Sequence, residues 1–418
     1  MSSNSSRTAS VWIDLNGTTH LVGLLRATAS RRGERASFTY HPTWLSQVER
    51  FALEPALTLD KGTFYPPGAR TLFGAFGDSA PDRWGRMLMQ RAERRRAAAL
   101  EEAPRTLHEW DYLLGVNDET RQGALRFTVE DGGPFVADGS PGVPPLVELP
   151  RLLGAARRAD DDESTDEDLA LLLAPGSSLG GARPKASVRD AHGRLSIAKF
   201  ARSVDPYPVE RWERVALRLA ESAGIRVPRA RVLELEGQPV LLVERFDRSG
   251  PLRVPFLSAM TMLGAIDGES GHSYPEIAEA LRAHGSQSTI DRHELWRRMV
   301  FNVLIANTDD HLRNHGFVWA GIDGWRLSPA YDLNPTPRDI KGATLSTSLV
   351  LDGDPTASLD LALSELEFFS LTLAEAQRIA SQVATAVATW RTVALDESLS
   401  SSQCDRMASA FEHQDLSR

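Results

Sequence analysis

Asn307-Thr308-Asp309-Asp310-His311-Leu312-Arg313-Asn314, followed downstream by Tyr331-Asp332, is the stretch that decides how this chain is read. Asp309 stands five positions before Asn314. The same Asp-x-x-x-x-Asn interval occurs in loops that transfer phosphoryl groups, where the Asp accepts the proton of the attacking hydroxyl and the Asn holds a divalent cation. Asp332 stands where a second acidic metal ligand would be expected. Asp310 competes with Asp309 for the base role, but only Asp309 has the right interval to Asn314. Asp310 is therefore expected to be a loop residue bonded to neighbouring N–H groups. His311 as a general base is the lesser alternative. Alone, the pattern could be a chance assembly of loop carboxylates, so its meaning depends on what the rest of the chain supplies.

Residues 177–248 supply a matching set of features. Ser177-Ser178-Leu179-Gly180-Gly181-Ala182-Arg183-Pro184-Lys185 is a small-residue loop running into a strand. Adjacent glycines allow backbone N–H groups to approach an anion closely, so the loop could cover phosphates. It does not have the G-x-x-x-x-G-K-[ST] order of a P-loop. Lys199 lies on the alternating strand Leu195–Phe200 and resembles the strand lysine of V-A-I-K in kinases. Glu213 on the next helix is its natural partner. An exposed strand lysine and a surface Glu–Arg pair are the plainer readings of these two residues. Glu244-Arg245-Phe246-Asp247-Arg248 follows the apolar strand Val240–Val243, and the backbone of Glu244 and Phe246 could bind the edge of an adenine. Glycine loop, lysine strand, helix, hinge, catalytic Asp and Asn, then metal Asp form one consistent order.

Composition narrows the class. At 418 residues the chain suits two or three domains. A hydrophobic share of 42% and a charged share of 25% are those of a soluble globular protein. The single Cys404 excludes an intramolecular disulfide or a cysteine-rich zinc site and fits a reducing compartment. The Ser-rich start has no apolar stretch for secretion, and no run approaches the ~18 apolar residues of a membrane span. A cytoplasmic protein without membrane contact is expected. The formal net charge of −9 opposes direct binding of nucleic acid by the whole chain. Arg91-Ala92-Glu93-Arg94-Arg95-Arg96, inside a helical segment from Pro81 to Glu102, reads as a solvated helix face, with a contact surface for DNA or an acidic partner as the alternative.

The organisation follows from local signals. Val11–Leu15, Asn16-Gly17 and Thr18–Leu25 predict a β-hairpin about an Asn-Gly turn. Further strands are expected near Ala36–Tyr40 and Leu125–Val129. A Pro/Gly-rich linker follows, and the acidic run from Asp160 to Asp168 reads as a helix start whose carboxylates complement the dipole. Beyond the lysine strand, an amphipathic helix Val209–Ser222 closes at Gly224, and strands flank a Glu236-Gly237 turn. Ser273-Tyr274-Pro275-Glu276 has capping-box spacing, and the helix Glu294–Ala306 delivers the chain into Asp309. Long helices are expected at Ala374–Val393 and Asp405–His413. The boundaries drawn are 10–130 for an α/β N-terminal subdomain, 131–175 for a linker with the acidic helix start, 176–248 for a nucleotide-binding part and 249–418 for a helical catalytic lobe.

On these residues the chain resembles the HipA family of serine/threonine kinases, toxins of type II toxin–antitoxin modules. The family's S-x-x-G-A-Q-x-K corresponds to Ser178–Lys185, V-E-R-F-D-R to Val243–Arg248, T-D-x-H-x-[KR]-N to Thr308–Asn314, and Y-D to Tyr331-Asp332. The F-x-x-L-L-P-D-S turn is matched only loosely by Phe76–Asp82. The resemblance spans about Val11 to Trp390 and implies an α+β, protein-kinase-like fold with an α/β N-terminal region and a mostly helical C-terminal lobe.

The resemblance further implies a role for each matching residue. Lys199 would hold the ATP phosphates beneath the loop of Gly180, Gly181 and Lys185. Asp309 would be the catalytic base with His311 supporting its loop, and Asn314 and Asp332 would be the Mg²⁺ ligands. Ser178 would be the self-phosphorylated serine whose modification displaces the loop. The implied partners are a HipB-like helix-turn-helix antitoxin, with DNA reached only through it, and a protein substrate such as an aminoacyl-tRNA synthetase. Arg183 departs from the family's Gln; a charge-assisted contact to ATP and a contact to phosphorylated Ser178 both stay open. The rival functions are a phosphotransferase acting on a small-molecule hydroxyl and a catalytically silent antitoxin-binding corepressor.

Overall fold

The computed structural model describes residues 6–30, 33–130, 132–137, 142–174 and 181–415; Ser178 and Gly180 of the glycine loop lie outside these residues. The chain divides into two compact units, Met1–Ser203 with Glu244–Leu257, and Val204–Val243 with Ser258–Arg418.

The first unit opens with an antiparallel sheet of β1 (Ser6–Leu15), β2 (Thr18–Ser30), β3 (Gly33–Tyr40) and β4 (Leu125–Thr128), in the order β3-β2-β1-β4. The turn between β1 and β2 has positive φ at both Asn16 (51°) and Gly17 (82°), a backbone that suits the right-handed twist of a hairpin. Alternation places Val11, Ile13 and Leu15 on the buried face. Phe38, Phe76 and Phe127 meet there with ring centroids 5.4 and 6.1 Å apart.

Asp82 caps the helix Arg83–Ala99 through Gly85 N at 2.8 Å. Three arginines of that helix are engaged by carboxylates, while Arg94 and Arg95 stay exposed. Arg91 pairs with Asp162 at 2.9 Å, Arg95 with Asp166 at 3.1 Å, and Arg96 with Glu93 at 2.8 Å. The acidic run therefore serves two ends. Thr165 and Asp168 form a capping box on the helix Asp166–Leu173, and its carboxylates latch arginines of the neighbouring helix.

Glu244–Arg248 has an architectural task in this unit. The buried Asp247 carboxylate accepts from Arg245 at 2.9 and 2.7 Å, from Arg248 at 2.9 Å and from Gly123 N at 2.8 Å. The same guanidiniums donate onward to the carbonyls of Glu119, Thr120, Arg121 and Gly123. Arg121, fully buried, donates to Ser79 O, Leu113 O and Val116 O. Burial pulls the Arg121 and Arg248 guanidiniums down to about 9, with nearby carboxylates opposing it. For Asp247 burial pushes the carboxyl up, but Arg245 and Arg248 outweigh it and hold it well below the usual range. Glu244 and Phe246 flank this clamp, with Phe246 against the ring of Phe256 at 6.1 Å.

A further hairpin of this unit pairs β5 (Lys185–Arg189) with β6 (Leu195–Phe200), setting Lys185 directly opposite Lys199.

In the second unit, β7 (Ala230–Leu235) and β8 (Gln238–Glu244) pair about Glu236 and Gly237, again both at positive φ. The helix Ser288–Leu304 buries Leu295, Trp296, Met299, Val300 and Phe301. One expectation is corrected here: the helix predicted as Ala374–Val393 is two helices, Leu373–Val387 and Trp390–Asp396. Thr389 N donates to Ala386 O three residues back, its hydroxyl bonds the same carbonyl at 2.7 Å, and the turn tightens and stops. That break lets Trp390 stack on Phe411 at 4.6 Å and meet Trp212 at 6.2 Å.

The α+β class and the mostly helical C-terminal part are as expected. Among the described residues, no helix is long and apolar enough to cross a membrane.

Replacing Asp247 by Ala should cost about 3–5 kcal/mol in urea unfolding at neutral pH, because it leaves two buried guanidiniums without their anion. The folded-state carboxyl is held below its unfolded value. Its contribution is thus complete above about pH 4 and is lost as pH falls toward the folded value, so the gap between wild type and variant should narrow in acid.

Candidate active site

The loop that carries Asp309 begins where the helix Ser288–Leu304 is forced to stop. Ala306 adopts φ 49°, and Asn307 N donates back to Asn302 O at 2.9 Å. This is a Schellman-type closure in which an alanine occupies the position glycine usually takes. The chain then turns sharply, and Asn307 Nδ2 donates to Asn302 Oδ1 at 3.1 Å.

Asp310 and Asp309 go opposite ways. Asp310 is buried, and its Oδ2 accepts from the Tyr274 hydroxyl and from His315 Nε2 at 3.0 Å. Asn302 Nδ2 donates to the same tyrosine oxygen at 2.9 Å, and Thr347 Oγ1 donates to Asp310 O at 2.7 Å. Burial pushes the Asp310 carboxyl up; His315 and Tyr274 override this and keep it below the usual carboxylate range. Burial, followed by the Asp310 charge, raises Tyr274 well above the usual phenol range, so it stays a neutral donor. Of the neighbouring N–H donors expected for Asp310, one comes from nearby His315, and the other donor is the Tyr274 hydroxyl, 36 residues away.

Asp309, by contrast, leaves its side chain 77% exposed. Asn314, in the short turn Leu312–Asn314, donates through Nδ2 to Asp309 O at 3.1 Å. Its amide oxygen is thus directed away from that bond.

Asp332 lies between two residues tied to this loop. Tyr331 Oη donates to Arg313 O at 2.7 Å, and Asn334 N donates to Asn307 Oδ1 at 3.3 Å. Asp332 itself has φ 56°, a left-handed conformation that Asp tolerates better than most side chains. His311 bonds the loop through its backbone: its N–H donates to Asp309 O at 3.0 Å, and its O accepts from Asn314 N at 2.8 Å.

The residue that braces the loop by its side chain is His315, which sequence reading passed over together with Tyr274 and Asn302. A signal was available: Asn302 is a polar residue inside an otherwise apolar helical stretch.

Among the described residues no three His, Cys, Asp or Glu side chains converge to hold a metal ion. The chemistry of the donors present nevertheless suits a hard cation, since an amide oxygen of Asn314 and a carboxylate of Asp332 are the oxygen ligands magnesium takes beside phosphate and water. Thr308 Oγ1, His311 Nδ1 and Asn334 Oδ1, all on these two segments, are buried without a hydrogen-bond partner.

Gly181, Lys185, Lys199, Glu244 and Phe246 belong to the first unit. Lys185, almost fully buried, pairs with Asp82 at 2.7 Å and donates to Gly181 O at 3.2 Å. Gly181 has φ 89°, and its carbonyl also accepts from Trp84 N at 3.4 Å. Lys185 is therefore spent on fixing the end of the glycine loop to the cap of the helix Arg83–Ala99. Lys199, its strand neighbour, is half-exposed.

Residues 177–390 match the family described as the HipA-like C-terminal domain, just over half of the chain. The chain belongs to that family. Two relatives are the Sinorhizobium fredii protein named "Putative kinase Y4mE", 25% identical over 349 residues (79% of this chain, 77% of that protein), and a Haemophilus influenzae protein named "Putative kinase", 26% identical over 209 residues (44% of this chain). The alignment spans only 61% of the Haemophilus protein's length. The fold matches HipA of Shewanella oneidensis MR-1, solved with HipB and its operator DNA, at a TM-score of 0.65 and 16% identity over 97% of this chain and 96% of that one.

Replacing Asp310 by Ala should lower stability in urea by about 3 kcal/mol, through loss of a buried, bonded charge. Asp309→Ala should stay within about 0.5 kcal/mol of wild type, as an exposed site does.

Proposed function

We propose that this chain is an ATP-dependent serine/threonine protein kinase and the toxin of a toxin–antitoxin module. The observation that carries the reading is the opposed fate of two adjacent carboxylates. Asp310 is buried and braced, while Asp309 projects from the same rigid loop into solvent, beside Asn314 and a segment carrying Asp332. A base held rigidly yet exposed suits an acceptor hydroxyl presented on a protein segment better than a small molecule enclosed in a pocket.

In this reading Asp309 orients the acceptor hydroxyl and takes its proton as the oxygen attacks the γ-phosphorus of ATP. The bond from that phosphorus to the bridging oxygen breaks, and ADP departs. Asn314 and Asp332 would hold magnesium, which when bound neutralises phosphate charge. Lys199 would contact the α- and β-phosphates. Gly180 and Gly181 would cover the phosphates by their N–H groups, Lys185 would hold that loop through Gly181, and Glu244 and Phe246 would meet adenine by their backbone. Ser178 would be the self-phosphorylated residue.

A HipB-like helix-turn-helix antitoxin is the proposed partner, on the strength of the Shewanella neighbour's complex with HipB and operator DNA. Direct DNA contact by this chain is disfavoured by its net charge of −9 and by the engagement of Arg91, Arg95 and Arg96 with carboxylates.

The test uses the full-length chain with ATP and Mg²⁺, measuring ADP formation and mapping phosphate by mass spectrometry. Wild type should carry phosphate on Ser178, and Asp309→Asn should lower the rate about 10³-fold, as loss of a general base does. Absence of both phosphate and ATP binding would overturn the kinase reading.

A further inference from the structure

Lys341 lies outside every motif considered so far, yet it is the cation nearest the exposed base among the ion pairs of the described residues. Its Nζ donates to Thr308 O at 2.9 Å and stands 4.0 Å from Asp309 Oδ1. The first contact uses one of three ammonium protons, and the second is too long to be a hydrogen bond. The side chain remains 41% exposed. At least one N–H bond is thus available to a group arriving beside Asp309.

The lysine is also delivered by a built turn. Ile340 N and Lys341 N both donate to Pro337 O, and Thr336 N donates to Ala306 O at 3.2 Å. From the C-terminal helix Ser401–Phe411, Ser409 Oγ accepts from Arg338 N at 3.1 Å and Arg406 pairs with Asp339 at 2.9 Å. The segment after Asp332 is therefore held at both faces, which sets Lys341 apart from an ordinary mobile surface lysine.

We propose that Lys341 contacts the transferring phosphoryl group; the inference rests on the kinase reading above. An acceptor oxygen bonded to Asp309 lies within bonding distance of the phosphorus it attacks. An equatorial oxygen of that phosphoryl group then comes within reach of an ammonium already 4.0 Å from the same carboxylate. Charge accumulates on those oxygens during transfer, and a cation placed in advance stabilises it without reorganisation. In the resting state Lys341 holds the Thr308–Asp309 peptide; during transfer its free protons serve the phosphate. No proton leaves it, and the hydroxyl proton still goes to Asp309.

The experiment compares ADP formation by full-length wild type, Lys341→Met, Lys341→Arg and Ser346→Ala, each with its thermal unfolding. Ser346 Oγ donates to the same Thr308 carbonyl at 3.1 Å, so its removal isolates support of that peptide from charge. Lys341→Met should lower kcat about 100-fold, the scale of losing one donor to developing charge, with the KM for ATP within about twofold and unfolding unchanged. Lys341→Arg should recover most of the loss, and Ser346→Ala should change kcat little. Near-wild-type kcat in Lys341→Met, or equal losses in Lys341→Met and Ser346→Ala, would overturn this inference while leaving the kinase reading intact. Wild type without turnover would overturn both.

Discussion

Everything at the candidate site depends on burying the Asp310 carboxylate. An ionised carboxylate in an apolar interior is costly unless donors meet it, and Tyr274 and His315 both donate to its Oδ2. Once that anion is pinned, the loop loses the freedom to rotate. Asp309, the preceding residue, must then face the other way, and Asn314 closes the loop on the Asp309 carbonyl. The exposure of the proposed base follows from the burial of its neighbour. Asn302 extends the brace into the helix Ser288–Leu304, so the rigidity of the loop is that of the hydrophobic core.

The first unit handles charge by the same rule for a different end. Asp247 between Arg245 and Arg248 is a buried anion that anchors the Glu119–Gly123 segment through carbonyl acceptors. Asp82 between a helix cap and Lys185 anchors the end of the glycine loop. Of these residues Lys185 is the one that a reading for nucleotide contacts assigns to ligand. Lys185, Arg245, Asp247 and Arg248 are thus structural ties.

The parts of this architecture legible in the sequence are those written locally. The Asn16-Gly17 and Glu236-Gly237 turns require positive φ, and Ser273 with Glu276 closes a cap three residues wide. The Asp309–Asn314 interval is likewise local, because one tight loop spans it. The partners that give these pieces meaning are remote: Tyr274 lies 36 residues from Asp310, Lys185 lies 103 from Asp82, and Arg245 lies 124 from Arg121. No periodicity or turn signal encodes such a pairing. The break at Ala388-Thr389 was hidden for a related reason, since neither residue is a helix breaker and the aromatic stack around Trp390 makes the turn worthwhile.

Two of the non-glycine residues at positive φ belong to the candidate-site region. Ala306 and Asp332, neither of them glycine, take positive φ at the two points where the chain enters the candidate loop and its companion segment. Such conformations cost on the order of 1 kcal/mol or more each and persist only where surrounding bonds enforce them. Here the enforcing bonds are identifiable. Asn307 N on Asn302 O and Thr336 N on Ala306 O hold the first, while Tyr331 on Arg313 O and Asn334 N on Asn307 Oδ1 bracket the second. Each of these bonds except the Asn307–Asn302 closure joins the loop region to the segment beyond Ala330. Relaxing either strained residue would therefore separate the two segments that carry Asp309, Asn314 and Asp332. The strain is tolerated because the same hydrogen bonds that impose it also assemble the site.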